Sequence, residues 1–507
     1  MTATDTPGIS GEPPKVPLAT LVAGIESLVC LDHKNPLIKG LAYHSGAVKP
    51  GDLFVCIRGR QDDGHRYAHE AVVRGAVAVV VERRIERLNR VAQVQATDGR
   101  RALAHLAARF YEHPSAQLRI IGVTGTEGKT TTTHLVDAIL RAAGRSAGLL
   151  GTIVNRVGTT VRAATLTTPE SLDLQRLLWE CVRAGVSDVV MEVSSHALAQ
   201  ARVAECEFDV AVFTNLHSDH LDFHGKRAQY LYAKAGLFSA LGRGAAKAGR
   251  GLAVLNADEP VSRRMAAVCG QPVLRFGLKR RAEVRGRILQ SDLGRTVFWA
   301  ETPAGPLRGT VGLTGAFNVS NALAASTVAL AVGVDPKAVM AGLEGLKGIP
   351  GRFELVPNDR GLLIVVDFAH TLAAYAAVLP TLRRFSRGRL ITVFGCPGDR
   401  DRTHRAPIGR LVTRLSDFMI VTTDNPADED PAEIAAEIGE GARQIDPHGE
   451  RRRVILDRRE AVRAALALAR AGDAVLLAGK GHEEYQIVEG RRLSYNDRRT
   501  VEEILGR

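Results

Sequence analysis

Val123-Thr124-Gly125-Thr126-Glu127-Gly128-Lys129-Thr130-Thr131 decides the fold, because it follows an apolar run, Arg119 to Val123, and opens a helical pattern, Thr130 to Leu140. A strand that feeds a glycine turn and then a helix is the setting of a phosphate-binding loop. Glycines let backbone N–H groups approach phosphate oxygens, Lys129 is placed for terminal phosphates, the Thr130 hydroxyl for Mg²⁺, and the helix offers its positive dipole end. The glycines alone read equally well as an ordinary strand-to-helix connection. Lys129 tips the balance, since a cation in the first turn of a helix opposes the dipole unless an anion sits there. ATP is the expected ligand, with Gly125, Thr126, Glu127, Gly128, Lys129, Thr130 and Thr131 around its phosphates. Only Thr126 and Glu127 separate the glycines, a shorter loop than the general pattern.

Outward from this loop the chain divides into three regions, an expectation that suits 507 residues. Residues 1–114 read as a small α/β unit, with strands Leu53 to Ile57 and Ala76 to Val81. Residues 115–349 hold the P-loop and strands at Ile120 to Thr124, Asp188 to Val193 and Val210 to Asn215, alternating with helical patterns. That alternation predicts a mostly parallel sheet. Residues 350–507 repeat the rhythm from strand Leu362 to Asp367 through strand Ala474 to Ala478, which predicts a doubly wound, Rossmann-like domain. The expected fold class is α/β in three domains. In parallel sheets ligands bind beyond the carboxyl ends of the strands, and the polar clusters fall there.

Composition excludes several classes. The longest apolar run, near Ala322 to Val334, is broken by Ser326 and Thr327, so no membrane span is expected. Met1 to Pro17 lacks a basic-then-apolar signal pattern and reads as a short flexible leader, which points to the cytoplasm. Six cysteines without a short C-x-x-C spacing argue against a zinc site or a disulfide framework. A formal charge of +12 suits an anionic substrate, and with aromatics at 5% and no nucleic-acid module it reads as a solvated basic surface rather than a nucleic-acid site.

Two further clusters lie at strand ends: Met191-Glu192-Val193-Ser194-Ser195-His196, and Asn215 through Gly225. Glu192 is placed to hold Mg²⁺ on the nucleotide. Asp222 and His224 read as ordinary satisfied polar residues. With Thr167-Thr168-Pro169-Glu170, Gln200, Arg202, Tyr232-Ala233-Lys234, Asn318-Val319-Ser320-Asn321, Gly351-Arg352-Phe353-Glu354, Asp367 through Thr371, Phe394 through Asp401, Asp424-Asn425-Pro426 and Gly479-Lys480-Gly481-His482-Glu483, the chain resembles the Mur ligase superfamily. Within it the resemblance is to the UDP-N-acetylmuramoyl-tripeptide synthetase (MurE-type) family, over nearly the whole chain.

The resemblance implies an ATP-dependent amide ligase that adds a diamino acid to the D-glutamate of UDP-N-acetylmuramoyl-L-alanyl-D-glutamate through an acyl phosphate. The implied domain roles, in chain order, are UDP-sugar binding, ATP binding and amino-acid binding, in a protein expected to be a monomer. By the same resemblance Lys129 and Thr130 hold phosphates, and Thr130, Glu192, His220 and Lys234 serve Mg²⁺, with Lys234 carbamylated to N6-carboxylysine. Asn318, Arg352, Asp367 and His370 meet the nucleotide. Thr167, Thr168, Ser194, Gln200 and Arg202 match muramoyl-peptide positions, Ser45 the uridine position, and Arg400, Asp424, Asn425, Gly479 and Glu483 the pocket for the incoming amino acid.

Departures from the family pattern are His44-Ser45-Gly46 in place of Asp-Ser-Arg, Glu127 in place of Asn, and Leu372-Ala373 in place of Pro-Asp. Ala427 stands where enzymes specific for meso-diaminopimelate carry an arginine whose fork pairs with the distal carboxylate. Its absence favours lysine or ornithine, with Asp428 or Glu429 meeting the distal ammonium, while Arg400 keeps diaminopimelate open. The alternatives are another amide ligase of the superfamily, such as a folylpolyglutamate-type enzyme, or a degenerate nucleotide-binding scaffold.

Overall fold

Valine and isoleucine dominate the runs Arg119–Thr124, Asp188–Glu192 and Val210–Phe213, which are almost wholly buried. Burial on both faces removes the apolar-polar alternation of a half-exposed strand and suits the middle of a parallel sheet. The structure, a computed structural model, describes residues 13–59 and 62–506. It sets these runs side by side in an eleven-stranded sheet, with Ala147–Leu150, Leu252–Asn256 and Val273–Gly277 continuing the parallel order outward.

Both edges of this sheet turn antiparallel, through the hairpin Val154–Val157 with Thr160–Ala163 and the meander Val284–Asp292, Arg295–Glu301, Leu307–Val311. These edges are only partly buried, and neither was read from the sequence. Helices Lys129–Ala142 and Ala316–Ala331 cover one face of the sheet, and Ser171–Arg183 and Arg227–Ala240 the other. The long apolar run near Ala322 is thus an interior helix. Among the described residues no helix is long and apolar enough to cross a membrane.

Ahead of this sheet lies a five-stranded one, in the order Leu28–Cys30, Ala92–Ala96, Ala78–Val81, Asp52–Val55, Gly40–Ala42. Residues 1–12 of the expected leader lie outside the described residues. Its last two, Val16–Pro17, are not a free leader: they pair antiparallel with Leu37–Ile38.

After it comes a six-stranded sheet, ordered Glu354–Val356, Leu363–Asp367, Ala474–Ala478, Leu390–Phe394, Phe418–Val421, Arg452–Val454, parallel except at its first strand. Helices Leu372–Phe385, Arg405–Leu415 and Pro431–Arg443 cover one face, Arg458–Leu468 and Asp497–Ile504 the other, so the sheet is doubly wound. A terminal hairpin, Tyr485–Val488 with Arg491–Ser494, was not anticipated.

Candidate active site

Parallel register places Glu192 beside Val123 and Phe213 beside Thr124, so three loops leave the central sheet at one end. The P-loop backbone needs its glycines. Gly125 has φ +153° and a Cβ there would run into the Thr214 hydroxyl; Gly128, at φ +82°, faces Asn321 Oδ1 in the same way. Thr126 Oγ1 accepts from His217 N at 3.0 Å and lies 3.1 Å from the Tyr230 hydroxyl. Thr131 is buried in the first turn of the helix.

Lys129 Nζ donates to the carbonyls of Gly125 (3.1 Å) and Thr126 (2.8 Å). Thr130 Oγ1 donates to Glu192 Oε2 at 3.0 Å, and Glu192 also accepts from Thr152 N and Oγ1. A hydroxyl and a carboxylate side by side are hard oxygen donors of the kind Mg²⁺ takes. Among the described residues no group of three His, Cys, Asp or Glu gathers to hold a metal.

His220 bonds to neither of these two. Its backbone is left-handed (φ +56°), its ring meets His196 edge-on at 4.7 Å, and its Nδ1 is buried with no hydrogen-bond partner among the described residues. Burial first, then the charges of His196, Arg400 and Lys129, pushes its pKa far down and keeps the imidazole neutral. Lys234 is 1% exposed; Nζ donates to Gly125 O at 2.7 Å and stands 4.5 Å from the Tyr230 ring centre. Burial and then Lys129 hold its pKa well below the ordinary lysine value. His224, set aside by the sequence, packs into the same cluster, 5.6 Å from His196 and 5.2 Å from Tyr230.

The third sheet contributes from across the cleft. Arg352 Nη2 donates to Thr130 Oγ1 at 3.2 Å, with its guanidinium 4.5 Å from the Phe368 ring centre. Glu127, the departure in the P-loop, accepts from Thr371 Oγ1 at 2.7 Å. Asn318 donates to Thr314 O and lines a cavity of about 320 Å³ with Thr314, Gly348, Arg352 and Phe353. Asp367, expected to meet the nucleotide, accepts at its carboxylate from Phe353 N (2.6 Å) and Ala369 N (2.7 Å), which braces its own loop. Burial raises its pKa to about 6. His370 Nδ1 lies 2.9 Å from Phe368 O.

The muramoyl-peptide candidates form one group. Thr168 Oγ1 donates to Glu192 O, Ser194 N donates to Thr168 Oγ1, and Thr167 Oγ1 lies 3.1 Å from Thr152 Oγ1. Arg202 donates to Thr168 O and Gln200 Oε1. Ser45 lies apart, in the first sheet's unit, where its hydroxyl donates to Glu70 at 3.0 Å. Arg100 comes from that unit and pairs with Glu170 at 3.2 Å, and the other oxygen of Glu170 lies in ion-pair range of Arg202, 3.1 Å from Nε.

Arg400, Asp424, Asn425, Gly479 and Glu483, scattered over 84 positions of sequence (483 − 400 + 1), meet in one cavity of about 140 Å³ with His220 and His370. Glu429, expected to face a distal ammonium, is instead tied to Arg402 (2.7 Å) and Arg405 (2.9 Å); Asp428 is exposed, and neither lines the cavity.

Profiles described as the Mur ligase family catalytic domain, the Mur ligase middle domain and the Mur ligase glutamate ligase domain match residues 37–111, 123–329 and 351–481. The UDP-N-acetylmuramoyl-L-alanyl-D-glutamate--2,6-diaminopimelate ligase of Syntrophomonas wolfei is 42% identical over 488 residues, covering 96% of this chain and 99% of its own. The ligase of the same name from Geobacillus thermodenitrificans is 43% identical over 464 residues, 92% and 94% of the two chains. The chain belongs to the Mur ligase family. A solved structure of a UDP-N-acetylmuramoyl-L-alanyl-D-glutamate--2,6-diaminopimelate ligase superposes with a TM-score of 0.66 at 31% identity, covering 97% of this chain and 99% of that one.

This Mur ligase is therefore an ATP-dependent ligase of peptidoglycan synthesis that works with Mg²⁺. Four of its side chains were given no role by the sequence alone. Arg100 and Glu170 bridge two units far apart in sequence, and no local pattern marks such a pair. Lys480 stood inside a quoted motif, yet only the fold shows it fully buried against Asn425 and Glu483. Arg458 was hidden beside Arg459; it is buried against Asp497 and donates to Ala478 O, just before Gly479.

Proposed function

We propose that this Mur ligase joins 2,6-diaminopimelate to the D-glutamate of UDP-N-acetylmuramoyl-L-alanyl-D-glutamate. The observation that carries the reading is the cavity holding Arg400 with Asp424, Asn425, Gly479 and Glu483. Arg400 has no ion-pair partner among the described residues, so its guanidinium is available to a distal carboxylate, while Glu483 and Asp424 suit the ammonium beside it. The names of relatives at 42% and 43% identity support the same substrate. Lysine or ornithine is the second reading, favoured by Ala427, but Glu429, the acid expected beside a bare ammonium, is tied to Arg402 and Arg405, and neither it nor Asp428 lines the cavity.

In this reading the glutamate γ-carboxylate attacks the terminal phosphorus of ATP, ADP leaves, and the acyl phosphate is attacked by the incoming amine with loss of phosphate. Lys129 swings from its two carbonyls to the phosphates, and Arg352 reaches them from the third sheet. Mg²⁺, held by Thr130 and Glu192, would supply charge neutralisation on the phosphates. Thr167, Thr168, Ser194, Gln200 and Arg202 orient the muramoyl-peptide, and alignment supplies much of the remaining rate. Lys234 reacts as a neutral amine with CO₂, losing a proton to solvent, so that a carbamate anion stands where the amine was beside the P-loop. Its burial, with a backbone carbonyl and no carboxylate hydrogen-bonded to Nζ among the described residues, supports this.

Phosphate release with the muramoyl-dipeptide and each of 2,6-diaminopimelate, lysine and ornithine is the test. Turnover with diaminopimelate well above the other two is expected. Turnover with lysine or ornithine alone sinks the diaminopimelate assignment, and no turnover with any of the three sinks the ligase assignment.

A further inference from the structure

Lys480 is a fully buried cation, 0% exposed, behind the wall of the amino-acid cavity. Its Nζ donates to Asn425 Oδ1 at 2.8 Å and ion-pairs with Glu483 Oε2, and it lies 5.4 Å from the Tyr485 ring centre. Asn425 Nδ2 donates to the same Glu483 oxygen at 2.9 Å. Glu483 Oε2 is thereby doubly occupied, while Oε1 has no hydrogen-bond partner among the described residues, and Glu483 lines the cavity. Asn425 and Glu483 come from loops after two different strands, Phe418–Val421 and Ala474–Ala478. A buried ammonium is costly to desolvate and a buried ion pair is weak evidence of net stability, so the arrangement points to placement and charge.

We propose that Lys480 is a specificity-determining positioning residue: it aims one oxygen of Glu483 at the distal ammonium of the amino acid and cancels the carboxylate's charge, so that the cavity accepts a zwitterionic distal end in preference to a bare ammonium. The proposal rests on the diaminopimelate reading above and deepens it. With Lys480 present, Glu483 offers a hydrogen-bond acceptor within a neutral pair, and the carboxylate next to the ammonium meets Arg400 without facing an uncompensated anion. Replacing Lys480 by a neutral residue makes the wall more negative by one charge. That change opposes the distal carboxylate of diaminopimelate and leaves lysine, which lacks one, less affected.

The experiment is the ratio of kcat/KM for 2,6-diaminopimelate to that for lysine in wild type, Lys480→Met and Lys480→Arg, with the KM for ATP followed alongside. Lys480→Met is expected to lower the ratio by about tenfold or more, in keeping with loss of charge-assisted hydrogen bonds, with the ATP KM unchanged. Lys480→Arg, which keeps the charge, is expected to lower overall activity and preserve the ratio. An unchanged ratio in Lys480→Met, or an ATP KM that rises in step with the amino-acid KM, overturns the proposal. If Lys480→Met does not fold, Lys480→Arg decides: a collapsed ratio there shows that charge is not the determinant. Wild type that uses lysine alone refutes the parent reading, a result independent of the variants. The split between amino-acid and ATP KM in Lys480→Arg then still tests positioning.

Discussion

Lys234 shows how far a residue's chemistry depends on its surroundings. A lysine on a helix beside Tyr232 reads as a solvated surface cation, yet it is Tyr232 that is 83% exposed, while Lys234 is 1% exposed and lies against Gly125 O. If the carbamate forms, Lys234→Ala loses at least about a hundredfold in turnover, as when one preorganised electrostatic group is removed, and acetate or formate partly restores it. An active alanine variant in bicarbonate-free buffer would count against the modification. Asp367 gives a prediction in pH. Its pKa, raised by burial to about 6, lies above the ordinary carboxylate value near 4, so its protonated form is favoured by folding. Its contribution to stability is complete below about 4 and lost as pH rises through about 6. The melting temperature of wild type relative to Asp367→Asn should therefore fall across that window and level off above it. A flat difference would place Asp367 in contact with solvent.

At the scale of elements, the P-loop is a strand and a helix held at an angle that only its glycines permit. Gly125→Ala puts a methyl group into the Thr214 hydroxyl at a backbone angle that L side chains rarely adopt. Strain of this kind should raise the KM for ATP by about tenfold or more while leaving the far-UV spectrum unchanged. A normal ATP KM would mean that the loop relaxes around the methyl. The same element was the most legible part of the sequence, since an apolar strand, a glycine turn and an amphipathic helix are all local signals. The antiparallel edges were not legible. Val284–Asp292 alternates only over its first residues, with a register shift between Ile288 and Gln290, and Arg295–Glu301, although its burial alternates, carries Val297 and Trp299 on the less buried face as well, so no clean period of two is written in the sequence there.

At the scale of the molecule, the first sheet's unit packs on helix Ser171–Arg183 through Tyr43 to Asp173 and Tyr111 against Trp179, while the third sheet meets the P-loop across the cleft. Among the described residues Arg352 to Thr130 and Thr371 to Glu127 are the side-chain hydrogen bonds from the third sheet to the P-loop, and Arg100 to Glu170 is one of the ion pairs from the first unit. Phosphates at the P-loop compete with Thr130 for Arg352, so binding of a non-hydrolysable ATP analogue with the muramoyl-dipeptide should draw the third sheet inward and shrink the radius of gyration in small-angle scattering. Superimposable profiles with and without ligands would refute closure. The sequence by itself determined the three-part α/β order, the phosphate loop and the family, because strand and helix periodicity and contiguous motifs are written in neighbouring residues. It also named the residues of the amino-acid cavity, through likeness to a family. Only the tertiary structure decided which charges there are free. Arg400 has no ion-pair partner among the described residues, Glu429 is bound by Arg402 and Arg405, and Lys480 is buried behind Glu483. Whether a charge acts on a ligand depends on its partner and its burial, and both are set by residues distant in the chain.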